Sequence, residues 1–383
     1  MEWYGENGLE IYCDNGLVAE TDDCPCGCPS FTGRTITYVD KNVVGGTGDG
    51  STWANAYTSI QDAIDNHPRK EIDIKGYGEL DQYPTGILLT NCNYLKGIGN
   101  CWIGGSGYDW VIGRTTSAVI TDTVKLENLT IKNTNISPSV HSSRGIVGIR
   151  GIFLDIRAPE SIGEPYDGCS GTFERCYASD SWYGINFSYY LPSIVTDCHT
   201  TNVGGTGISF GMNEEASLSS SITNCTVTGG GSNGGFGFGS YGTMTDCVAT
   251  GCSRGFYVRG NANLVNCTAI NGGVGFRSNA MDTDTIFTGC NAINNLGDGF
   301  SNIGGVCNSC VSTGNGTVDT TFWGFGFSKC SNLINCSAVG NQSCGYYANI
   351  STIGCSESGN CISTYSCICT DTCYHHLYQC QEV

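Results

Sequence analysis

Charge is scarce in this 383-residue chain: Asp, Glu, Lys and Arg make up only 14%, and Pro (8) and Met (4) are few. A helical protein draws on Ala, Glu, Lys and Leu, so the shortage argues against helix as the main element. No run of 18 apolar residues occurs, which leaves no candidate for a membrane-crossing helix. The opening MEWYGENGLEIYCDNG pairs no basic stretch with an apolar one, so no Sec signal peptide is expected there. Basic residues number 17 against 35 acidic ones, a net charge of −18. A surface of that sign repels phosphate backbones and anionic lipid, so neither nucleic acid nor membrane insertion is expected. Disorder is excluded by 10% aromatic residues and by β-branched residues spread along the chain.

Glycine (56) and cysteine (25) are abundant instead. Glycine with Ser, Thr and Asn suits short strands joined by tight turns. So many cysteines normally mark an oxidising compartment. Two readings stay open: most thiols are reduced and buried, or the protein reaches the outside by a route such as lysis. The expected location is a virion or extracellular surface.

From residue 170 onward a Cys recurs after an Asp, Asn or similar residue and before a short β-prone run: ERCYAS, TDCHTT, TNCTVT, TDCVAT, VNCTAI, TGCNAI, NSCVST, INCSAV, IGCSES. The nine are Cys176, Cys198, Cys225, Cys247, Cys267, Cys290, Cys310, Cys336 and Cys355, spaced 19 to 27 residues apart. A second mark follows in phase, a Gly before an aromatic or aliphatic residue, as in Gly255-Phe256, Gly275-Phe276, Gly299-Phe300, Gly326-Phe327 and Gly345-Tyr346. Leucine is too scarce for leucine-rich repeats and no six-residue step exists, so the period predicts a coil of two or three short strands per turn. Stacked turns at about 4.8 Å would make parallel sheets around one core.

In that coil the cysteines are expected to point inward as a ladder of small apolar side chains. Cβ atoms about 4.8 Å apart lie beyond the usual 3.5–4.5 Å of a disulfide, which favours packing over bonding. Asn271, Asn294 and Asn341 are expected in left-handed turns, where they could stack on one another. Earlier in the chain, ITYVD (36–40) reads as a strand. Trp53, Ala56, Tyr57, Ile60, Ala63 and Ile64 then mark one face of an amphipathic helix over about 52–65, with Ser51 as its N-cap. Such a helix would cover an open sheet end.

The run YVDKNVVGGTGDGSTWANAYTSIQDAID, followed by EIDIKGYGEL and ILLTNCNYLKGIG, resembles the N-terminal part of pectate-lyase-like β-helix proteins. The resemblance spans about 36–360. It implies an all-β, single-stranded, right-handed parallel β-helix of about 12 rungs with a short capping helix and Cys-rich ends. The superfamily it points to includes polysaccharide lyases, glycoside hydrolases, phage tailspikes and non-catalytic surface proteins, so it implies no single activity.

The organisation predicted is therefore a Cys-rich extension (1–35), the β-helix (36–360) and a Cys-rich C-terminal cap (361–383). The first holds Cys13, Cys24, Cys26 and Cys28; the last holds Cys361, Cys367, Cys369, Cys373 and Cys380. Disulfides among these nine are the expected role. Cys367, Cys369, Cys373, His375, His376 and Cys380 form an alternative zinc set, though their spacing matches no standard finger.

A hydrolase needs two carboxylates, about 5–5.5 Å apart for retention and about 6.5–9.5 Å for inversion. The acidic candidates in long turns are Glu214 with Glu215 and Asp282 with Asp284. The two pairs stand three rungs apart, about 14 Å, so only partners within a pair could cooperate. A lyase would add calcium and a basic residue, for which Arg259 and Arg277 near Asp282 and Asp284 are the candidates. The five His residues pair with no Ser or Cys in a nucleophilic pattern. Clusters at Trp182, Tyr183, Tyr189 and Tyr190 and at Phe322, Trp323 and Phe325 could stack on sugar rings.

The reading favoured by the residues is a non-enzymatic structural or glycan-adhesive protein on a virion or other extracellular assembly, partnered by copies of itself or by other surface proteins and able to form filaments. The alternative is a polysaccharide lyase or glycoside hydrolase.

Overall fold

The structure is a computed structural model describing residues 31–360, apart from 90–91, 106–108, 115–123, 134–143, 161–163, 188–191, 211–219, 231–233, 239–240, 259, 279–283 and 317–323. Two compact units divide the chain, residues 1–200 and 201–383. Each is a parallel β-helix.

In the first unit the first ladder runs through Ile36–Val39, Glu71–Lys75, Tyr94–Ile98, Val124–Glu127 and Arg150–Leu154, then on to residues 171–174 and Ser193–Thr196, every pair parallel. A second ladder holds Trp102–Gly105, Thr130–Asn133, Arg157–Pro159 and Tyr177–Ser179. A third holds Ile87–Leu89, Trp110–Arg114, Arg144–Val147, residues 164–169 and Ile185–Phe187. The second unit repeats the plan with seven strands per ladder, from Ser221–Thr223 to Ser351–Ile353, from Thr226–Gly230 to Ser356–Ser358, and from Thr206–Phe210 to Tyr346–Tyr347. With His199–Val203, at the division between the units, the second ladder counts twelve strands among the described residues, in line with the expected number of rungs.

The Asp/Asn-Cys signature is a corner between the first and second ladders. The residue before each column cysteine has a left-handed backbone: Arg175, Asp197, Asn224, Asp246, Asn266, Ser309 and Asn335 at φ 51–54°, and Gly289 and Gly354 at φ 62° and 61°. Asn, Asp and Gly tolerate that region best, which is why they dominate there. The following Cys turns inward. Eight of the nine are buried and Cys355, on the last rung, is half-buried; all nine are free thiols. Each thiol donates to backbone, as Cys267 Sγ does to Val265 O (3.5 Å) and Met244 O (3.6 Å). In the two rungs before Cys176 the same place is filled by Leu129 and Ile156, again after left-handed Asn128 and Asp155. Leucine and isoleucine in the same column identify the position as apolar packing.

The Gly-aromatic mark is the core of the second unit. Phe236, Phe256, Phe276, Phe300 and Phe327 are fully buried and stack with centroids 4.7–4.9 Å apart. The preceding glycines face a column of small residues on the second ladder. A Cβ on Gly255 would lie 2.5 Å from Ala269 Cβ, and one on Gly299 would lie 2.1 Å from Ser312 Oγ. The coil is flattened here, and only hydrogen fits between its walls.

Two expectations need correction. The N-terminal helix is not one element over 52–65. A 3₁₀ turn, Trp53–Asn55 capped by Thr52, is followed by a separate helix, Ile60–Asn66, whose N-cap is Ser59 rather than Ser51. The break falls where Tyr57 pairs with the first strand: its N–H donates to Tyr38 O (2.9 Å) and its carbonyl accepts from Asp40 N (2.8 Å). Asn271 and Asn294 are left-handed, but Asn341 is not; Gly340 takes that place at φ 60°. Asn341 instead belongs to a buried amide ladder. Asn295 Nδ2 donates to Asn315 Oδ1 (2.9 Å), Asn315 Nδ2 to Asn341 Oδ1 (3.0 Å) and Asn341 Nδ2 to Asn360 Oδ1 (3.0 Å). Cys92 and Cys344, which the sequence reading did not single out, are disulfide-bonded.

Candidate functional site

Most charge in this fold lies in turns, but three successive strands of the first unit carry it on their outward faces. In EIDIK (71–75) the core takes Ile72 and Ile74, leaving Glu71, Asp73 and Lys75 outward; Tyr94 with Lys96 and Lys125 with Glu127 follow on the next rungs. Register sets Glu71 beside Tyr94 and Tyr94 beside Lys125 in one row, with Tyr38, Asp73, Lys96 and Glu127 in the next. Strand alternation therefore gathers three carboxyls, two ammonium groups and two phenols on one face.

Lys96 Nζ reaches Glu71 Oε1 at 3.3 Å and Lys125 Nζ reaches Glu127 Oε2 at 2.9 Å. Tyr94 donates its O–H to Glu127 Oε2 (2.5 Å) and accepts from Lys125 Nζ (3.1 Å). Arg34 lies over the Phe31 ring at 4.3 Å, and Phe31 meets Tyr94 edge-on at 5.9 Å. Burial lowers the Arg34 pKa to about 10. Burial also raises Glu127, but the hydrogen bonds from Tyr94 and Lys125 outweigh it and hold the carboxyl below its ordinary value.

Asp73 differs from its neighbours. It is only 8% exposed and its Oδ1 has no hydrogen-bond partner. Burial first, and the Glu71 carboxylate second, push its pKa up to about 6. The arrangement is a buried acid with a raised pKa between an ion-paired carboxylate on its own strand and a second carboxylate, Glu127, two rungs away at about 9–10 Å of backbone.

An aromatic platform adjoins it. Tyr38, in register with Asp73, packs on Trp53 with centroids 4.7 Å apart. Lys75 Nζ stands 6.0 Å from the Trp53 ring and 5.6 Å from the Tyr77 ring, and bonds Asp40 Oδ2 at 2.9 Å. Tyr77 donates to the other Asp40 oxygen. Chemically the face can donate a proton, accept one, and stack a ring, the combination that carbohydrate recognition uses. A shallow cavity of about 320 Å³ near the glycine loop, lined by Gly46, Tyr57, Asp62 and Asn66, lies on the same unit.

The residues singled out from sequence stand elsewhere. Glu214, Glu215, Asp282 and Arg259 lie outside the described residues. Arg277 is half-buried on Val274–Arg277, beside Tyr257 and Ser301, and Asp284 is exposed; no catalytic grouping of the four can be described. Trp182 is 40% exposed and Tyr183 half-buried, while Phe325 stacks on Tyr347 at 4.4 Å. Tyr189, Tyr190, Phe322 and Trp323 lie outside the described residues, as do the terminal sets: Cys13, Cys24, Cys26 and Cys28, and Cys361, Cys367, Cys369, Cys373, His375, His376 and Cys380. Among the described residues, no group of three or more His, Cys, Asp or Glu is placed to hold a metal ion. The outward face escaped the sequence reading because single strands show only isolated charges. Its signal was charge alternating with apolar residues in EIDIK, YLK and VKLE.

No protein-family model and no curated protein matches the sequence. Solved structures do. The catalytic domain of a GH87 α-1,3-glucanase in complex with nigerose superposes with a TM-score of 0.52 at 12% identity, over 79% of this chain and 67% of that one. A variant of that domain in complex with tetrasaccharides gives 0.50 at 12% identity, with the same coverage. A GH136 lacto-N-biosidase from Eubacterium ramulus gives 0.47 at 12% identity, over 73% of this chain and 64% of that one. At such identities the likeness is one of fold. The chain shares the parallel β-helix fold of these structures, the fold its N-terminal resemblance implied.

Proposed function

We propose that this chain is a glycan-binding β-helix protein that holds saccharide on the outward face built by Tyr38, Trp53, Asp73, Lys96 and Glu127. The observation that carries the reading is the Tyr38–Trp53 platform, with Tyr38 in register with Asp73, a carboxyl whose pKa is pushed up to about 6. Aromatic faces stack on the apolar side of a sugar ring while carboxyl and ammonium groups bond its hydroxyls. The fold shared with carbohydrate-complexed structures agrees with it. In its finer form the protein is a non-enzymatic adhesive element exposed on a virion or other extracellular assembly, supported by the low-charge, turn-rich composition.

One observation favours a second reading, hydrolysis. Asp73 is an acid with a raised pKa, and Glu127 is a second carboxylate two rungs away on the same face. A glycan array followed by product analysis separates the two. Retention of a defined glycan by the native protein, lost in Trp53→Ala, supports binding. Turnover abolished by Asp73→Asn would replace adhesion with hydrolysis. No retention of any glycan, with no turnover, would refute both.

A further inference from the structure

Between its two corners the second ladder of the second unit keeps one length on all seven rungs. A left-handed residue such as Asp246 or Asn266 and then the column Cys open each rung, three strand residues follow, and another left-handed residue such as Gly251 or Asn271 closes it. Register is unbroken from residues 226–228 to residues 356–358, so the repeat takes its insertions elsewhere. Strand alternation sends the middle residue inward, as with buried Ala249, Ala269 and Ala292, and the outer two outward. The outward residues form two columns, one from Thr226 to Ser356 and one from Thr228 to Ser358. Ten of the fourteen are Thr, Val or Ile, and none is charged, in a chain of net charge −18. Asp246 is the one charge in the flanking corners. In the first unit the same ladder carries Trp102, Lys132 and Arg157 instead.

The wall is also nearly flat. Neighbouring strands usually turn by about 20–25°. Here the phenylalanine column carried by the same coil, from Phe236 to Phe327, stacks with interplanar angles of only 5–10°. The outward groups therefore repeat at about 4.8 Å from rung to rung and about 6.6 Å between columns. Branching at Cβ restricts their rotamers, which fixes the methyls and hydroxyls as well as spacing them.

We infer that this wall binds the surface of ice. Both repeats lie close to oxygen spacings on a prism face of hexagonal ice, and an uncharged wall complements a neutral lattice, since a charged group would draw water into a shell of its own. Water ordered over the methyl rows and hydrogen-bonded by the hydroxyls can continue into the crystal. Other occupants fit less well. Six strand spacings by about 10 Å give about 300 Å², against the roughly 800 Å² per partner that a stable dimer buries. A sugar would find no aromatic ring to stack on among the fourteen. The inference is independent of the glycan face on the first unit.

The test freezes the full-length protein slowly with a bystander protein, and follows single ice crystals under a microscope. The native chain should concentrate in the ice fraction, facet the crystals and hold their freezing point below their melting point. Thr268→Tyr and Thr250→Lys, each on the wall, should lose all three effects while keeping the native circular dichroism. Thr288→Tyr, outward on the first ladder, should retain them. Exclusion of the native chain from ice along with the bystander would overturn the inference, whatever the variants do. Retention by both wall variants, or equal loss in Thr288→Tyr, would overturn it too. So would adsorption to crystalline cellulose or chitin that the wall variants abolish, which would put a polysaccharide on this surface.

Discussion

Replacing Asp73 by Asn removes the one titration that sets this face apart. The ordinary carboxyl value is 3.8 and the folded value about 6. A raised value means that the folded state holds the proton more tightly than the unfolded chain. Its stabilising contribution is therefore complete below about pH 4 and is lost as pH rises through 6. A gap of about two pH units, at about 1.4 kcal/mol each, sets an upper bound of about 3 kcal/mol. The interaction with the Glu71 carboxylate divides the titration between two groups and lowers it, so about 1–2 kcal/mol is expected. The substituted amide keeps the shape of the carboxyl and cannot ionise. Guanidinium unfolding followed by tryptophan fluorescence is the assay, because five of the six Trp lie within residues 1–200. Taking wild type minus variant at each pH cancels the other carboxyls. The variant should gain on the wild type by about 1–2 kcal/mol between pH 4 and 7, with most of the change between 4 and 6. A difference that stays constant within about 0.3 kcal/mol, or that moves the other way, would refute the account of Asp73 as a proton-bearing acid.

Other consequences can be checked independently. Phe276→Ala should destabilise the second unit by about 3–5 kcal/mol in chemical denaturation, since the ring is fully buried and stacked on Phe256 and Phe300 at 4.8 and 4.7 Å. A loss under about 1 kcal/mol would mean that the column is not a packed core. Gly299→Ala puts a Cβ 2.1 Å from Ser312 Oγ and should cost about 1–3 kcal/mol, whereas Gly340→Ala, with open space around it, should cost only the strain of φ 60°. Alkylation of the native protein should leave thirteen of the fourteen free described cysteines unlabelled, with only the half-buried Cys355 reacting, and all fourteen should label after unfolding without reductant. Rapid native labelling of Cys267 or Cys310 would contradict their burial.

How far the sequence could be read depends on how far apart the cooperating residues lie. The Cys and Gly-aromatic columns were legible because each rung repeats the same local demand. A left-handed corner calls for Asn, Asp or Gly, a small apolar side chain follows it, and a glycine sits where two walls nearly touch. Those demands are met within a few residues, so they recur in phase along the chain. The helix limits were less legible, since Trp53 to Ile64 keep helical spacing although Tyr57 is held by the strand at 36–39. Asn341 was misread by one place because its neighbour Gly340 takes the turn and the amide faces the core.

The outward face of the first unit was decided by tertiary structure alone. Glu71, Asp73, Tyr94, Lys96, Lys125 and Glu127 span 56 residues in the sequence, yet one coil per rung brings them within hydrogen-bond reach of one another. Nothing local in EIDIK distinguishes Asp73 from any solvated carboxylate. Its raised pKa comes from burial and from Glu71 two places away on the same face, and its aromatic neighbours come from a strand and a turn earlier in the chain. Repeated local geometry made the architecture visible in the sequence; charges that meet only after coiling made the site, and their energies depend on distances that no linear spacing records.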